Sequence, residues 1–157
     1  MTENQKKEFT RRITQSNSTG LIIVLYDMAL TYLEDALAFF EVDREKCQLE
    51  LNRARNCIEE MIRNLHFDVD LSREFLGIYL SMKKSLRDGF MQNDREQLIS
   101  VKNNLTSLKQ AYEQIASLDE SAPVMGHTQS VVVGLTYGKK NINESLAGDS
   151  GQRGFLV

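Results

Sequence analysis

Hydrophobic positions recur at helical spacing along the chain up to about residue 118. The longest such segment begins with Leu-Ile-Ile-Val-Leu-Tyr-Asp-Met-Ala-Leu at residues 21–30 and continues to Phe40 without glycine or proline. Read at helical periodicity, its polar residues fall on one narrow strip, formed by Asp27, Thr31, Glu34 and Asp35. A helix that lies on a core needs an apolar arc of only about 100°. This helix therefore has surplus apolar surface, which is either enclosed by neighbouring helices or available to a partner.

Three further segments have apolar residues three and four positions apart, which is the spacing of helices that pack side by side. The first begins after a capping Asp43 and ends near residue 65, and the second runs from about residue 70 to 91. The third follows Asn93-Asp94-Arg95-Glu96, which has the form of a capping box with Asn93 as the cap. Together with a first helix from Ser18 to Phe40, they predict an all-α fold, an antiparallel up-down four-helix bundle over residues 17–118.

The two ends of the chain differ in composition from this region. Residues 1–16 are polar except for Phe9 and Ile13, which predicts a flexible, solvated N-terminal arm. One hypothesis is that these two side chains cover part of an apolar groove until a partner displaces them. Residues 119–157 hold six of the nine glycines and predict a flexible C-terminal tail. The apolar run at residues 131–137 either lies against a groove of the bundle or belongs to an unstructured tail.

Bulk properties exclude several classes of partner. The formal net charge of −3 gives no reason to expect nucleic acid. The longest apolar runs are too short to span a bilayer, and the N-terminus lacks the apolar segment of a signal peptide. Cys47 and Cys57 lie about 15 Å apart on one predicted helix, too far for a disulfide. We therefore expect a cytoplasmic protein with reduced cysteines.

Residues for catalysis or metal binding are scarce. His66 with Asp68 and Asp70 would form at most a weak cation site, and an inter-helix turn capped by aspartate accounts for the same residues. His127 lies in the predicted tail. The chain has no Glu-x-x-His pattern and no glycine-rich phosphate loop. We predict no enzyme activity, no metal and no cofactor, which leaves binding as the function.

Residues 21–30 carry a family resemblance. With them, the chain from Ile13 to about Ile115 resembles the flagellin-specific secretion chaperone family, FliS, whose first-helix pattern is Leu-Ile, two apolar residues, then Leu-Tyr-Asp-Gly-Ala-Leu. Weaker similarities lie at residues 54–61, 76–79 and 108–112. Met28 stands where glycine is usual, Phe9 replaces the customary N-terminal tyrosine, and residues 15–18 depart from Thr-Ala-Ser-Pro. These departures concern the docking of the arm more than the fold.

The resemblance implies a cytoplasmic chaperone that binds the C-terminal, helix-forming region of flagellin. It also implies that binding blocks premature filament assembly and presents flagellin to the export gate. We expect the partner at the flank of the first helix and at neighbouring apolar residues, with these candidates: Phe9, Ile13, Tyr26, Leu30, Leu33, Ile62, Tyr79 and Leu80. The alternative is a self-associating structural or adaptor bundle, with the surplus apolar arc buried in a homodimer.

Overall fold

The computed structural model describes residues 1–65 and 70–118, except for the side chains of residues 70, 71 and 115. Within these ranges the chain forms five helices and no strand, so the all-α prediction is confirmed. The helices are α1 (Glu3–Gln15), α2 (Ser18–Phe39), α3 (Arg44–Arg63), α4 (Asp70–Met91) and α5 (Arg95–Ala116).

The predicted starts of α2 and α3 are correct. The Asn17 side chain accepts a hydrogen bond from the backbone N–H of Gly20 at 2.8 Å, and Asp43 accepts one from the N–H of Lys46 at 3.0 Å. A Cβ at residue 20 would lie 3.1 Å from the Asn17 oxygen, so Gly20 leaves room for the cap. In both helices the cap satisfies an N–H group of the first turn that has no partner within the helix.

The start of α5 is one residue later than predicted. Asp94, not Asn93, caps the helix, because its carboxylate accepts the N–H of Gln97 at 3.1 Å. Asn93 has a φ of 57° and makes the left-handed turn between α4 and α5. Asparagine adopts this conformation more readily than most residues, so Asn93 belongs to the turn and leaves capping to its neighbour.

Residues 3–15 form a helix, so the prediction of a flexible, solvated arm is wrong. Thr2 and Gln5 make a reciprocal capping box at the start of α1. Phe9 and Ile13 are buried on the face that meets α2. Four of the charged residues that suggested a solvated arm form ion pairs within this helix, as Glu3–Lys6 and Glu8–Arg11. An amphipathic helix with a narrow apolar stripe has nearly the same amino-acid composition as a polar arm, so composition does not distinguish the two.

The core is a single apolar cluster centred on α2. This helix packs against α3, α5 and α1, while α4 packs against α3 and α5. Nine of its side chains are buried: Ile22, Val24, Leu25, Tyr26, Met28, Ala29, Tyr32, Leu33 and Ala36. The surplus apolar arc of this helix is therefore enclosed by other parts of the same chain.

Several sequence predictions fall outside the described residues. They concern His66, the predicted tail at residues 119–157 with its apolar run, and His127. Cys47 and Cys57 are both buried and unpaired.

Candidate functional site

α1 covers an apolar part of α2. Phe9 and Ile13 lie one helical turn apart on α1, and together with Met28 and Tyr32 of α2 they border a gap of only about 10 Å³. Such a gap holds at most about one water molecule, so the two helices are closely packed. We call the surface of α2 formed by Met28 and Tyr32 the α1 seat.

One carboxylate beside the α1 seat joins three helices. Asp27 of α2 accepts Arg12 of α1 on one oxygen at 2.6 Å and Lys109 of α5 on the other at 2.7 Å. Lys109 also lies 3.4 Å from Glu113 on its own helix. The hydrogen bond to Asp27 raises the pKa of Lys109. The Asp27 side chain is only 19% exposed, and both of its oxygens face a cation.

The rest of the polar strip on α2 is also paired. Glu34 lies 2.9 Å from Lys102 of α5. Asp35 forms an ion pair with the amino group of Met1, which precedes α1. The strip is therefore the line along which charged groups of α1 and α5 meet α2, and it is not a freely solvated face.

A cluster of tyrosines joins α2, α4 and α5. The hydroxyls of Tyr26 and Tyr79 are hydrogen-bonded at 2.6 Å. The ring centroid of Tyr112 lies 5.5 Å from that of Tyr26 in a tilted arrangement and 5.7 Å from that of Phe75 in an edge-to-face one. Burial raises the pKa of Tyr26 and of Tyr79 well above the ordinary tyrosine value. The cluster holds the three helices together through ring packing and the hydrogen bond between hydroxyls.

Two apolar side chains of α4 are open. Ile78 and Leu80 are 41% and 50% exposed; because they lie two positions apart on a helix, they fall on opposite sides of the buried Tyr79, and we call these two positions the α4 flank. Beside Ile78, α4 and α5 border a cavity of about 450 Å³. Its lining mixes apolar and small polar side chains, including Ile78, Ser81, Met82, Ser100 and Val101.

The described part of the chain offers no site for metal chemistry. No group of three or more His, Cys, Asp or Glu side chains in residues 1–65 and 70–118 is arranged to hold a metal ion. None of the described helices is long and apolar enough to cross a membrane. What the geometry offers is apolar surface bordered by ion pairs, which suits the binding of a helix.

The sequence model of Flagellar protein FliS matches residues 1–119, about three quarters of the chain. The chain belongs to the FliS family. FliS proteins are flagellar export chaperones, and the family is not one of enzymes. A search of the curated proteins finds no match.

Three consecutive residues of the FliS first-helix motif contact three different parts of the site. Tyr26 belongs to the tyrosine cluster, Asp27 binds Arg12 and Lys109, and Met28 forms part of the α1 seat. Met28 is 3% exposed and fills space that the usual FliS glycine would leave empty. The departure from the FliS pattern therefore lies directly beneath α1, which is docked here nonetheless.

The structure separates the eight FliS-type binding candidates into three groups. Five are buried: Phe9, Ile13, Tyr26, Leu33 and Tyr79. Two, Leu30 and Ile62, are half-buried against the core, and Leu80 is half-exposed. A partner can reach Leu80 directly, and it can reach the α1 seat only after α1 moves. Binding by these residues stays a prediction.

Sequence reasoning missed the charged part of this FliS site. Arg12 lies three residues after Phe9 and one before Ile13, so all three share one face of a helix. An aspartate within the apolar run at residues 21–30 was the matching signal on α2. Ile78 was also not among the candidates, although it lies beside the apolar stripe of its helix as Leu80 does.

Proposed function

We propose that the chain is a cytoplasmic export chaperone that binds the C-terminal helical region of flagellin. Binding prevents premature polymerisation and assists flagellar type III export by presenting flagellin to the export gate. Family membership supports the chaperone role. The observation that carries client binding is α1 itself, an amphipathic helix held on α2 by two apolar side chains and the Arg12–Asp27 ion pair.

In this proposal α1 occupies the place of a client helix. Phe9 and Ile13 cover Met28 and Tyr32 in the free chaperone, which keeps that apolar area out of water. A flagellin helix with a similar apolar face displaces α1 and buries the same surface. Because one amphipathic helix replaces another, the apolar burial lost with α1 is restored by the client, at about 25 cal/mol per Å². The conformational entropy that the client loses on ordering offsets part of this gain. The α4 flank provides an additional contact that needs no displacement.

We further propose that α2–α5 form an antiparallel up-down four-helix bundle spanning residues 17–118. The contacts of α2 with α3 and α5, and of α4 with the same two helices, support this order. The links after α2 and after α4 contain only a few residues, and such links connect antiparallel neighbours. On this scaffold α1 is an added layer that is removable without breaking the four-helix core.

Calorimetry and light scattering with a synthetic C-terminal flagellin peptide test the proposal. We expect a monomer that becomes a one-to-one complex. The rival function, a self-associating structural or adaptor bundle, draws support from the open α4 flank. A homodimer that ignores the peptide would replace the chaperone proposal with that rival.

Leu30→Asp, a substitution in the chaperone itself, provides a site-directed test of client binding. We expect weaker peptide binding while helical content, measured by circular dichroism, stays near that of the wild type. Loss of helical content would instead show that Leu30, which is half-buried against the core, is essential to its packing.

A further inference from the structure

The contact between α1 and α2 combines apolar burial with one charge. Phe9 and Ile13 bury apolar surface against α2, while Arg12, on the same face, binds Asp27 at 2.6 Å. The Arg12 guanidinium also lies 5.7 Å from the centroid of the Phe9 ring, which orients it toward α2. On the face that α1 presents to α2, an apolar residue is therefore followed three positions later by a basic residue and then by another apolar residue.

Removal of α1 leaves Asp27 incompletely paired. Lys109 keeps one carboxylate oxygen and is itself shared with Glu113. The oxygen that Arg12 occupied loses its partner. A purely apolar helix in the place of α1 would cover that oxygen, and a covered carboxylate oxygen without a donor is costly. A helix with a lysine or arginine at this position restores the ion pair.

We infer that the α1 seat selects helical segments in which a lysine or arginine lies between apolar residues on one face, and that Asp27 recognises this cation. The inference rests on the proposed function for its client, which is then a flagellin helix with such a basic residue. Asp27 is thus a specificity-determining residue, and Met28 and Tyr32 supply the apolar surface beside the charge.

Two variants that break the same ion pair from opposite ends test the inference. Arg12→Gln and Asp27→Asn both loosen α1, which hydrogen exchange of the α1 amides measures directly. Arg12→Gln leaves Asp27 free for the client, so we expect the C-terminal flagellin peptide to bind about three- to tenfold more tightly. Asp27→Asn removes the recognition of the cation as well, so we expect it to bind more weakly than the wild type. Equal tightening in both variants would overturn the inference.

Lys109→Gln is the matched control, because it removes the other cation from Asp27 and leaves Arg12 in place. We expect a change of less than about twofold in peptide affinity, because α1 and the client compete for the same Asp27 oxygen and the loss of Lys109 affects both of them alike. Peptides with single Lys→Gln or Arg→Gln changes then locate the client cation. One of them should bind the wild type more weakly but bind Asp27→Asn no differently from the unmodified peptide.

A second measurement does not depend on flagellin. A synthetic peptide of residues 1–16 is titrated into the full-length chain carrying Ile13→Asp, whose own α1 cannot dock. We expect the peptide with Arg12→Gln to bind several-fold more weakly than the native peptide. Equal affinities would refute the preference of the seat for a basic residue. Charge-dependent binding of this peptide, with no binding of flagellin, would support the preference and reject the proposed client.

Discussion

The α1 seat and the α4 flank are both apolar, but only the seat is covered. Met28 is almost fully buried and Tyr32 fully so, whereas Ile78 and Leu80 are about half-exposed. The difference does not follow from how apolar the helices are. α2 has the wider apolar arc, and α1, α3 and α5 enclose it, while α4 has a narrower stripe with apolar residues just beside it.

A wide apolar arc therefore indicates how many neighbours a helix has, not whether it keeps a free surface. The residues at the edges of a narrow stripe are the ones left exposed when two neighbours have packed on its centre. In this chain Tyr79 points into the core, while its neighbours in sequence, Ile78 and Leu80, remain at the surface. Client-binding residues are therefore more to be expected at the edges of the apolar stripe of α4 than at the centre of α2.

The same kind of truncation should have unequal effects on the two surfaces. Met28→Ala leaves a cavity beneath α1 and should lower the free energy of unfolding by about 2–4 kcal/mol. Leu80→Ala removes atoms that water already reaches and should change it by less than about 0.5 kcal/mol. Urea denaturation of both variants measures the difference. Similar losses in the two would show that the α4 flank is packed in solution.

Removal of α1 from its seat should make the two surfaces alike. Ile13→Asp places a charge in the apolar contact, so α1 should undock and binding of a hydrophobic dye should rise. If the seat is open for roughly a tenth of the time in the wild type, peptide affinity should increase about tenfold.

Asn4→Asp is the control, because it adds the same charge to an exposed residue of α1. It should leave both dye binding and peptide affinity unchanged. An unchanged dye signal in Ile13→Asp would contradict the covering role of α1.

A charge on the open surface should affect binding without affecting the fold. Leu80→Asp should weaken flagellin peptide binding about fivefold, as expected for one contact at the edge of an interface. The thermal midpoint should stay within a few degrees of the wild type. If affinity is unchanged but a dimer dissociates, the α4 flank serves self-association.

The smallest effect concerns the protonation of Tyr32. Burial raises its pKa from 10.0 to about 12. In the unfolded chain this tyrosine loses its proton near pH 10, while the folded chain keeps it until about pH 12. The unfolded state therefore binds fewer protons in this window, so the contribution of Tyr32 to stability is complete below pH 10 and is lost as pH rises to about 12.

Undocking of α1 should shift this titration. In Ile13→Asp the Tyr32 pKa should fall partway toward its ordinary value, because part of the cover is gone. The absorbance of tyrosinate against pH measures the shift, and Tyr32→Phe identifies the transition. An identical titration in the wild type and in Ile13→Asp would mean that α3 alone buries this ring.

The sequence was sufficient for the features that depend on local periodicity. The starts of α2 and α3 followed from Asn17 and Asp43, and the FliS family followed from the motif at residues 21–30. It was not sufficient for α1, because two apolar residues among many charged ones describe a docked helix and a solvated arm equally well. The role of Asp27 depends on Arg12 and Lys109, which are distant in sequence, so no local pattern reveals it.

Alkylation of the buried cysteines of α3 and hydrogen exchange of the α1 amides report two different kinds of opening. Cys47 and Cys57 are both fully buried, and burial raises the pKa of the Cys57 thiol, so alkylation has to wait for the helix to open. We expect undocking of α1 to leave the contact between α2 and α3 intact, so that only a larger opening exposes the Cys57 thiol. The rate of alkylation thus reports global opening, while the rate of hydrogen exchange at the α1 amides reports local opening. Binding of a client in place of α1 should therefore leave the rate of cysteine alkylation unchanged or lower it, and should not raise it.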